Sequence, residues 1–387
     1  MSAPSSWAYL SRVIEGPSPH LQALLRAGRD ADEIARGVRT RASWVGALLS
    51  STERRYAHAQ PEEDLQAADE HGYTLLTPDS TNWPGEAIQA SFGVPQTEQV
   101  QGACPPHALW VRGAQQLPEL LAQSVGIVGT RAATAYGHHA TADLVSGLAA
   151  KQYTIVSGGA LGVDTVAHDT ALGGGAPSVV VAACGAGVVY PRRNEGLFDR
   201  VVTQRGAVIT EYPPGVTPDR HRFLTRNRLI AALTQGTVII EAAYRSGALN
   251  TLKWAGLFNR VAMAVPGPIL GAASLGTNLA IYRGQAQMVL SADHIHELLS
   301  QIGDFDAEAV LQSTFAPTPL QQLSHNELRV YDALPTAGQG GREADAVAAA
   351  AGFSTGLTVH LLLELEQRNL VARDKRVWRR VELGAER

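Results

Sequence analysis

The sequence predicts an α/β protein with a parallel sheet, set between a small helical domain and a C-terminal winged helix-turn-helix. Two observations carry this. Eight apolar segments recur between His107 and Ala292, most of them continuous rather than alternating, as in strands buried on both faces. Helical stretches fall between them, and strand–helix alternation implies βαβ units with right-handed crossovers.

Taken in order, residues 1–69 hold the helical candidates LQALLRAG and WVGALLSSTERRYAHA and few β-branched runs, hence a small helical domain. The stretch from His71 to Gln101 is rich in Gly, Pro, Thr and Asn and reads as loops. The strands of the 70–300 domain are then HALWVRG, SVGIVGT, YTIVSGG, PSVVVAACG, GAVITEY, GTVIIEA, RVAMAVPG and AQMVLSA. Its helices include HHATADLVSGLAAKQ, LNTLKWAGLFN and HIHELLSQI. A linker is expected over 301–320, where Pro317 and Pro319 close DFDAEAVLQSTFAPTPL. In 321–387, SHNELRVYDAL, READAVAAAAG and STGLTVHLLLELEQRNL read as three helices before a basic hairpin, VARDKRVWRRVEL, which together describe a winged helix.

With 387 residues and a formal net charge of −4, the chain is not basic all over, so any nucleic-acid contact must come from a local patch. Lys151, Lys253 and Lys375 are the only lysines, which leaves arginine, suited to bidentate phosphate recognition, as nearly all of the positive charge. Cys104 and Cys184 sit in no metal-ligand spacing, and two cysteines in such a chain suggest a reducing compartment. The N-terminus lacks a basic segment followed by an apolar one, and no apolar run is long enough for a membrane. A soluble, cytoplasmic protein is expected.

Parallel sheets gather ligands at the carboxyl ends of their strands, at a switch in strand order. Three successive strands end there in glycine loops: Gly129–Arg131, Ser157–Asp164 and Cys184–Asn194. Glycine lets a backbone approach a phosphate, and a helix start offers free N–H groups to it. The spacing matches neither the dinucleotide fingerprint GxGxxG nor the P-loop GxxxxGK[ST], so no nicotinamide or nucleoside-triphosphate cofactor is implied. Arg131 should point into the crevice. DRHRFLTRNR, Asp219–Arg228, packs Arg220, Arg222, Arg226 and Arg228 around Phe223. A base can stack on that phenyl face while guanidinium groups hold the flanking phosphates. The bland alternative is a helix start with Phe223 in the core and solvated arginines. From Gly187 to Ile230 eight arginines face four carboxylates, a local positive zone in an acidic chain.

Asp164 and His168 stand four apart, but without a third ligand they suggest ordinary hydrogen bonding rather than a metal site. Glu241, at the end of GTVIIEA, can act as a general base or can fix a loop by accepting backbone N–H bonds; the second is favoured. His138-His139 has no supporting pattern. The third helix of the C-terminal module carries Glu364 and Glu366 with no arginine before Arg368, which argues against specific duplex readout.

GIVGTR, SGGALGVDTVAH, GVVYPRRN, FLTRNRLIAAL, VIIEAAYRSGALNTLKWA and PGPILGAASLGTNLAI, in this order, resemble the DNA-processing protein A (DprA/Smf) family over Pro105 to Leu299. The resemblance implies an extended Rossmann-like domain that binds single-stranded DNA, forms a homodimer and helps load the RecA recombinase during natural transformation. It further implies protection of incoming strands and relief of the block posed by single-strand-binding protein. The implied site residues are Gly129 and Arg131 of the GxR turn, then Ser157, Gly158, Gly159 and Gly162 of the glycine loop. Arg192 follows Tyr-Pro, Arg220 and Phe223 form the basic–aromatic pair, and Arg226, Asn227 and Arg228 are the RNR motif. Leu224 departs from the family, whose members often carry proline there. An N-terminal sterile-alpha-motif-like domain is common among members. The rival from another class is a nucleotide-processing phosphoribohydrolase on the same architecture with Glu241 as the catalytic carboxylate, although the PGGxGTxxE signature of such enzymes is missing.

Overall fold

The runs Ser124–Val128, Thr154–Ser157 and Ser178–Val181 are rich in β-branched residues, and each becomes a strand buried along its whole length. The computed structural model describes residues 2–97, 100–300, 318–336 and 340–381. The chain divides into two compact units, Met1–Phe305 and Asp306–Arg387.

In the first unit the strands are β1 (Tyr73–Leu76), β2 (Leu109–Gly113), β3 (Ser124–Val128), β4 (Thr154–Ser157), β5 (Ser178–Val181), β6 (Ala207–Thr210), β7 (Gly236–Ile239), β8 (Val261–Ala264) and β9 (Gln287–Met288). They form one sheet in the order β1-β2-β6-β5-β4-β3-β7-β8-β9. Neighbours from β6 to β9 are parallel, whereas β2 runs antiparallel to both β1 and β6. All eight sequence-predicted strands are present, and the mostly parallel sheet is as expected. The direction of winding reverses between β3 and β7, so a crevice opens beyond their carboxyl ends.

Both faces of the sheet are covered. Val128, Val156 and Ile239 pack on one side with Leu229 and Ile230 of the helix Arg220–Ala232 and Leu252 of the helix Ala248–Leu257. Val125, Ile127, Ile155 and Val238 pack on the other with Leu144 and Leu148 of Ala135–Ala150 and Ala167 of Val163–Gly173. Adjacent strand residues therefore enter opposite cores, which is why the strands show no polar alternation.

Helices Pro4–Ile14, Pro19–Arg26, Ala31–Arg39, Leu48–Thr52 and Pro61–Glu70 precede the sheet; the first four share a core of Trp7, Leu10, Leu21, Ile34, Val38 and Leu48, whereas Ala68 of the fifth packs with Trp110 and Val208 of the sheet. WVGALLSSTERRYAHA is not one helix: a 3₁₀ turn, Ser43–Val45, stops at Gly46, whose φ of +59° breaks it before Leu48. The segment is nonetheless bound to the sheet, since Trp110 Nε1 donates to Ser11 Oγ at 3.1 Å and Arg12 Nη2 to the Pro214 carbonyl at 2.7 Å. The stretch 71–101, expected as loops, contains β1 and the helix Gly85–Phe92. Ile88 of that helix enters the core, and Phe92 meets Phe258 edge-on at 4.7 Å.

The second unit has the helices His325–Asp332, Ala344–Ala351 and Thr355–Gln367 and a small sheet ordered β10 (Arg342–Glu343), β12 (Val377–Arg380), β11 (Val371–Asp374). Val330, Val347, Leu362, Leu365 and Trp378 form its core. Residues 301–317 of the expected linker lie outside the described residues. Among the described residues no single helix is long and apolar enough to cross a membrane.

Candidate functional site

The crevice at the strand-order reversal is a cleft of about 1480 Å³. β3 leaves the sheet through Gly129, Thr130 and Arg131, and the turn is held from β7. Thr130 N donates to the Glu241 carbonyl at 2.8 Å, while the buried Glu241 carboxylate accepts from Thr134 N at 2.9 Å and from Thr134 Oγ1 at 2.8 Å. Glu241 thus fixes this loop with both oxygens.

The loop after β4 presses against that turn. At Gly162 φ is +80°, and a Cβ there would lie 2.4 Å from the Thr130 carbonyl oxygen, so only glycine fits. Gly158 and Gly159 are buried, and Ser157 is spent on the fold, its Oγ donating to the Ile127 carbonyl at 2.6 Å. Asn194, whose role no sequence pattern signals, pins this loop by donating from Nδ2 to Gly159 O and Thr165 Oγ1, both at 2.9 Å.

Beyond β5, Tyr190 lines the cleft, whereas Arg192 and Arg193 are exposed and do not. The helix Arg220–Ala232 starts at Asp219, whose carboxylate caps it by accepting from His221 N at 3.0 Å. Arg220 lies exposed in the cleft wall, but Arg222 turns away to Glu15 at 3.3 Å. Phe223 is half-buried, 5.4 Å from the Tyr190 ring, with the Arg131 guanidinium 4.8 Å from its centroid. Arg131, Arg220 and Phe223 therefore share one edge.

Arg226, Asn227 and Arg228 have different surroundings. Arg226 is 4% exposed, lines the cleft, and its Nε and Nη1 find no hydrogen-bond partner among the described residues. Burial lowers its pKa, opposed by Asp164, whose own pKa burial raises against the pull of Arg226. Asn227 lines the cleft and donates to the Gly247 carbonyl at 3.3 Å. Arg228 is 0% exposed and paired with Glu211 at 2.6 Å, away from the cleft.

Asp164 and His168 do not act together. Asp164 Oδ2 accepts from Ala160 N at 3.3 Å; His168 Nδ1 lies 2.7 Å from Ser178 Oγ, whose proton goes to the Ile155 carbonyl. His168 therefore donates from Nδ1, and burial pushes its pKa down to about 3.

Six cations line the cleft, Arg131, Arg220, Arg226, Arg245, Lys253 and Arg283, against two carboxylates, Asp164 and Asp219. None of the six is in a salt bridge among the described residues, whereas Arg12, Arg41, Arg112 and Arg200 elsewhere in the unit are paired. Arg245, Lys253 and Arg283 were missed by sequence reasoning, since they lie on separate elements and cluster only in space. Unpaired cations in a protein of net charge −4 focus a positive field on this cleft and make it an anion site.

The family model for DNA recombination-mediator protein A matches residues 75–300, which span the sheet and the cleft. A DNA processing protein DprA of Mycobacterium tuberculosis is 40% identical over 385 residues, 98% of this chain and 95% of its own. Protein Smf of Escherichia coli is 34% identical over 69% of this chain and 70% of its own. The crystal structure of DprA from Streptococcus pneumoniae superposes with a TM-score of 0.60 at 25% identity, covering 79% of this chain and 99% of that one. The cleft geometry and these similarities agree, and the chain belongs to the DNA recombination-mediator protein A (DprA/Smf) family.

Proposed function

We propose that the protein binds single-stranded DNA in this cleft and serves, without turning it over, as a recombination mediator. One observation carries the reading: the Phe223 ring, flanked by Arg131 and Tyr190, sits in a cleft whose six cations form no salt bridge among the described residues. Bases stack on such a ring for about 1–3 kcal/mol each, and arginines hold the phosphates between them. A duplex keeps its bases out of reach of Phe223.

Family membership supports the wider role, namely protection of incoming strands, relief of the block by single-strand-binding protein and loading of RecA during natural transformation, in the cytoplasm. Homodimerisation is supported by the open apolar residues Ile269 and Leu270 on the loop after β8, Tyr282, and Met288 on the edge strand β9. We read the domain plan as a sterile-alpha-motif-like region over 1–69, a Rossmann-like domain over 70–300, and a winged helix over 321–387.

The test is a salt-titrated comparison of single- and double-stranded DNA. Single strands should bind more tightly, with a log–log salt slope near −0.7 per neutralised phosphate. Arg131→Ala and Phe223→Ala should each weaken binding to a short oligothymidine while leaving the melting temperature in place. Unchanged affinity in both variants removes the assignment.

A further inference from the structure

Besides Arg131, Arg220 and Phe223, the cleft is lined by a second group of residues, carried by the loop after β7 and by the helices Ala248–Leu257 and Leu275–Tyr282, which we call its second arm. At about 1480 Å³ the whole exceeds the roughly 300–1,000 Å³ of ordinary small-molecule pockets. Leu249, Leu252 and Leu279 give this group an apolar part. Its cations follow the leucines in a repeated way. The helix Ala248–Leu257 presents Leu249 and Lys253 one turn apart on one face. The helix Leu275–Tyr282 does the same with Leu279 and, at its C-cap, Arg283. On the loop after β7, Arg245 and Tyr244, the latter 52% exposed, line the same space.

Apolar side chains beside cations that form no salt bridge among the described residues, with one open aromatic face, suit an unpaired strand that turns its bases toward the leucines and its phosphates toward the cations. A duplex, whose bases are paired inside, would leave the leucines and Tyr244 unused. We propose that this arm is a second single-strand subsite, in which Tyr244 stacks a base and Arg245, Lys253 and Arg283 hold phosphates, so that one strand occupies both arms. The proposal rests on the reading of the first arm as a single-strand site.

The experiment uses the full chain and fluorescence polarisation with oligothymidines of three and about 15 nucleotides, long enough to fill a site of this kind. Tyr244→Ala should weaken the longer oligonucleotide about 5-fold or more and leave the trinucleotide, which fits the first arm, unchanged. Lys253→Gln with Arg283→Gln should lower the magnitude of the salt slope for the longer one by about 1.4, or about 0.7 per charge removed. The altered side chains are exposed, and a melting curve checks the fold; should the double variant melt early, Arg245→Gln is judged by the same slope. If these variants leave the longer oligonucleotide unaffected while Arg131→Ala weakens it, the second arm is wrong and the first stands. If Tyr244→Ala weakens both lengths equally, Tyr244 belongs to the first arm and the proposal fails. If Arg131→Ala also has no effect, both fall.

Discussion

The guanidinium of Arg226 rests against the backbone of Gly158: a methyl group on that glycine would come within 1.7 Å of Nη1 and 2.4 Å of Cζ. Glycine is needed there for proximity rather than for turn geometry. Gly158→Ala should push Arg226 out of place and weaken binding to oligothymidine about tenfold, the loss of one charge-assisted hydrogen bond, with little change in stability. Polarisation titrations beside a denaturation curve check it, and full affinity in the variant would show that the position of Arg226 is immaterial.

Two arginines of one motif should fail in opposite ways. Arg228→Ala strands the Glu211 carboxylate in the core and should cost about 3–5 kcal/mol of stability. Arg226→Met removes a buried charge that has no hydrogen bond on Nε or Nη1, and Asp164, raised by burial, can take up a proton. Its stability should hold or rise while its affinity drops. Denaturant midpoints and binding isotherms, measured together, separate the two.

Glu241→Ala leaves the N–H and hydroxyl of Thr134 without acceptors and should cost about 1–3 kcal/mol, whereas Glu241→Gln keeps one oxygen and most of the stability. Base release from nucleoside monophosphates should be absent in all forms. Release by the unaltered protein that vanishes in Glu241→Gln would restore the carboxylate as a general base.

Acid should destabilise the fold through buried neutral histidines. The pKa of His168 is pushed down to about 3 and that of His107 to about 4, in both cases by burial first and then by a neighbouring arginine. Above about pH 6.5 they are neutral in both states and their contribution is complete. As pH falls below that value the unfolded chain takes up protons that the folded chain refuses, so stability declines, by at most about 1.4 kcal/mol per pH unit for each histidine. Asp164 and Glu211, raised by burial, act in the opposite sense. The clean measurement is therefore a difference: His168→Gln should show a shallower decline than the unaltered chain between about pH 6.5 and 4. Parallel curves would mean that His168 is not held neutral.

The sheet was legible because strands covered on both faces carry consecutive apolar residues, as in Val179, Val180 and Val181. β1 was not, since its four residues lie among turn-forming neighbours and gain their conformation by pairing with β2. Arg131, Arg220 and Phe223 could be grouped from sequence because each sits at an element boundary on one rim. Arg228 looked the same as Arg226 in the chain, yet two steps along a helix carried it from the cleft to the core. Cations gathered from distant elements, such as Arg245 and Arg283, leave no local pattern at all.

The bonds from Ser11 to Trp110 and from Arg12 to the Pro214 carbonyl bear on how the molecule can be shortened. A fragment beginning at residue 70 would turn the Trp110 indole, fully buried in the intact chain, out to water, which would take over its N–H and the Pro214 carbonyl but leave the aromatic surface bare. Such a fragment would be prone to self-association, and weak DNA binding by it would say little about the intact chain.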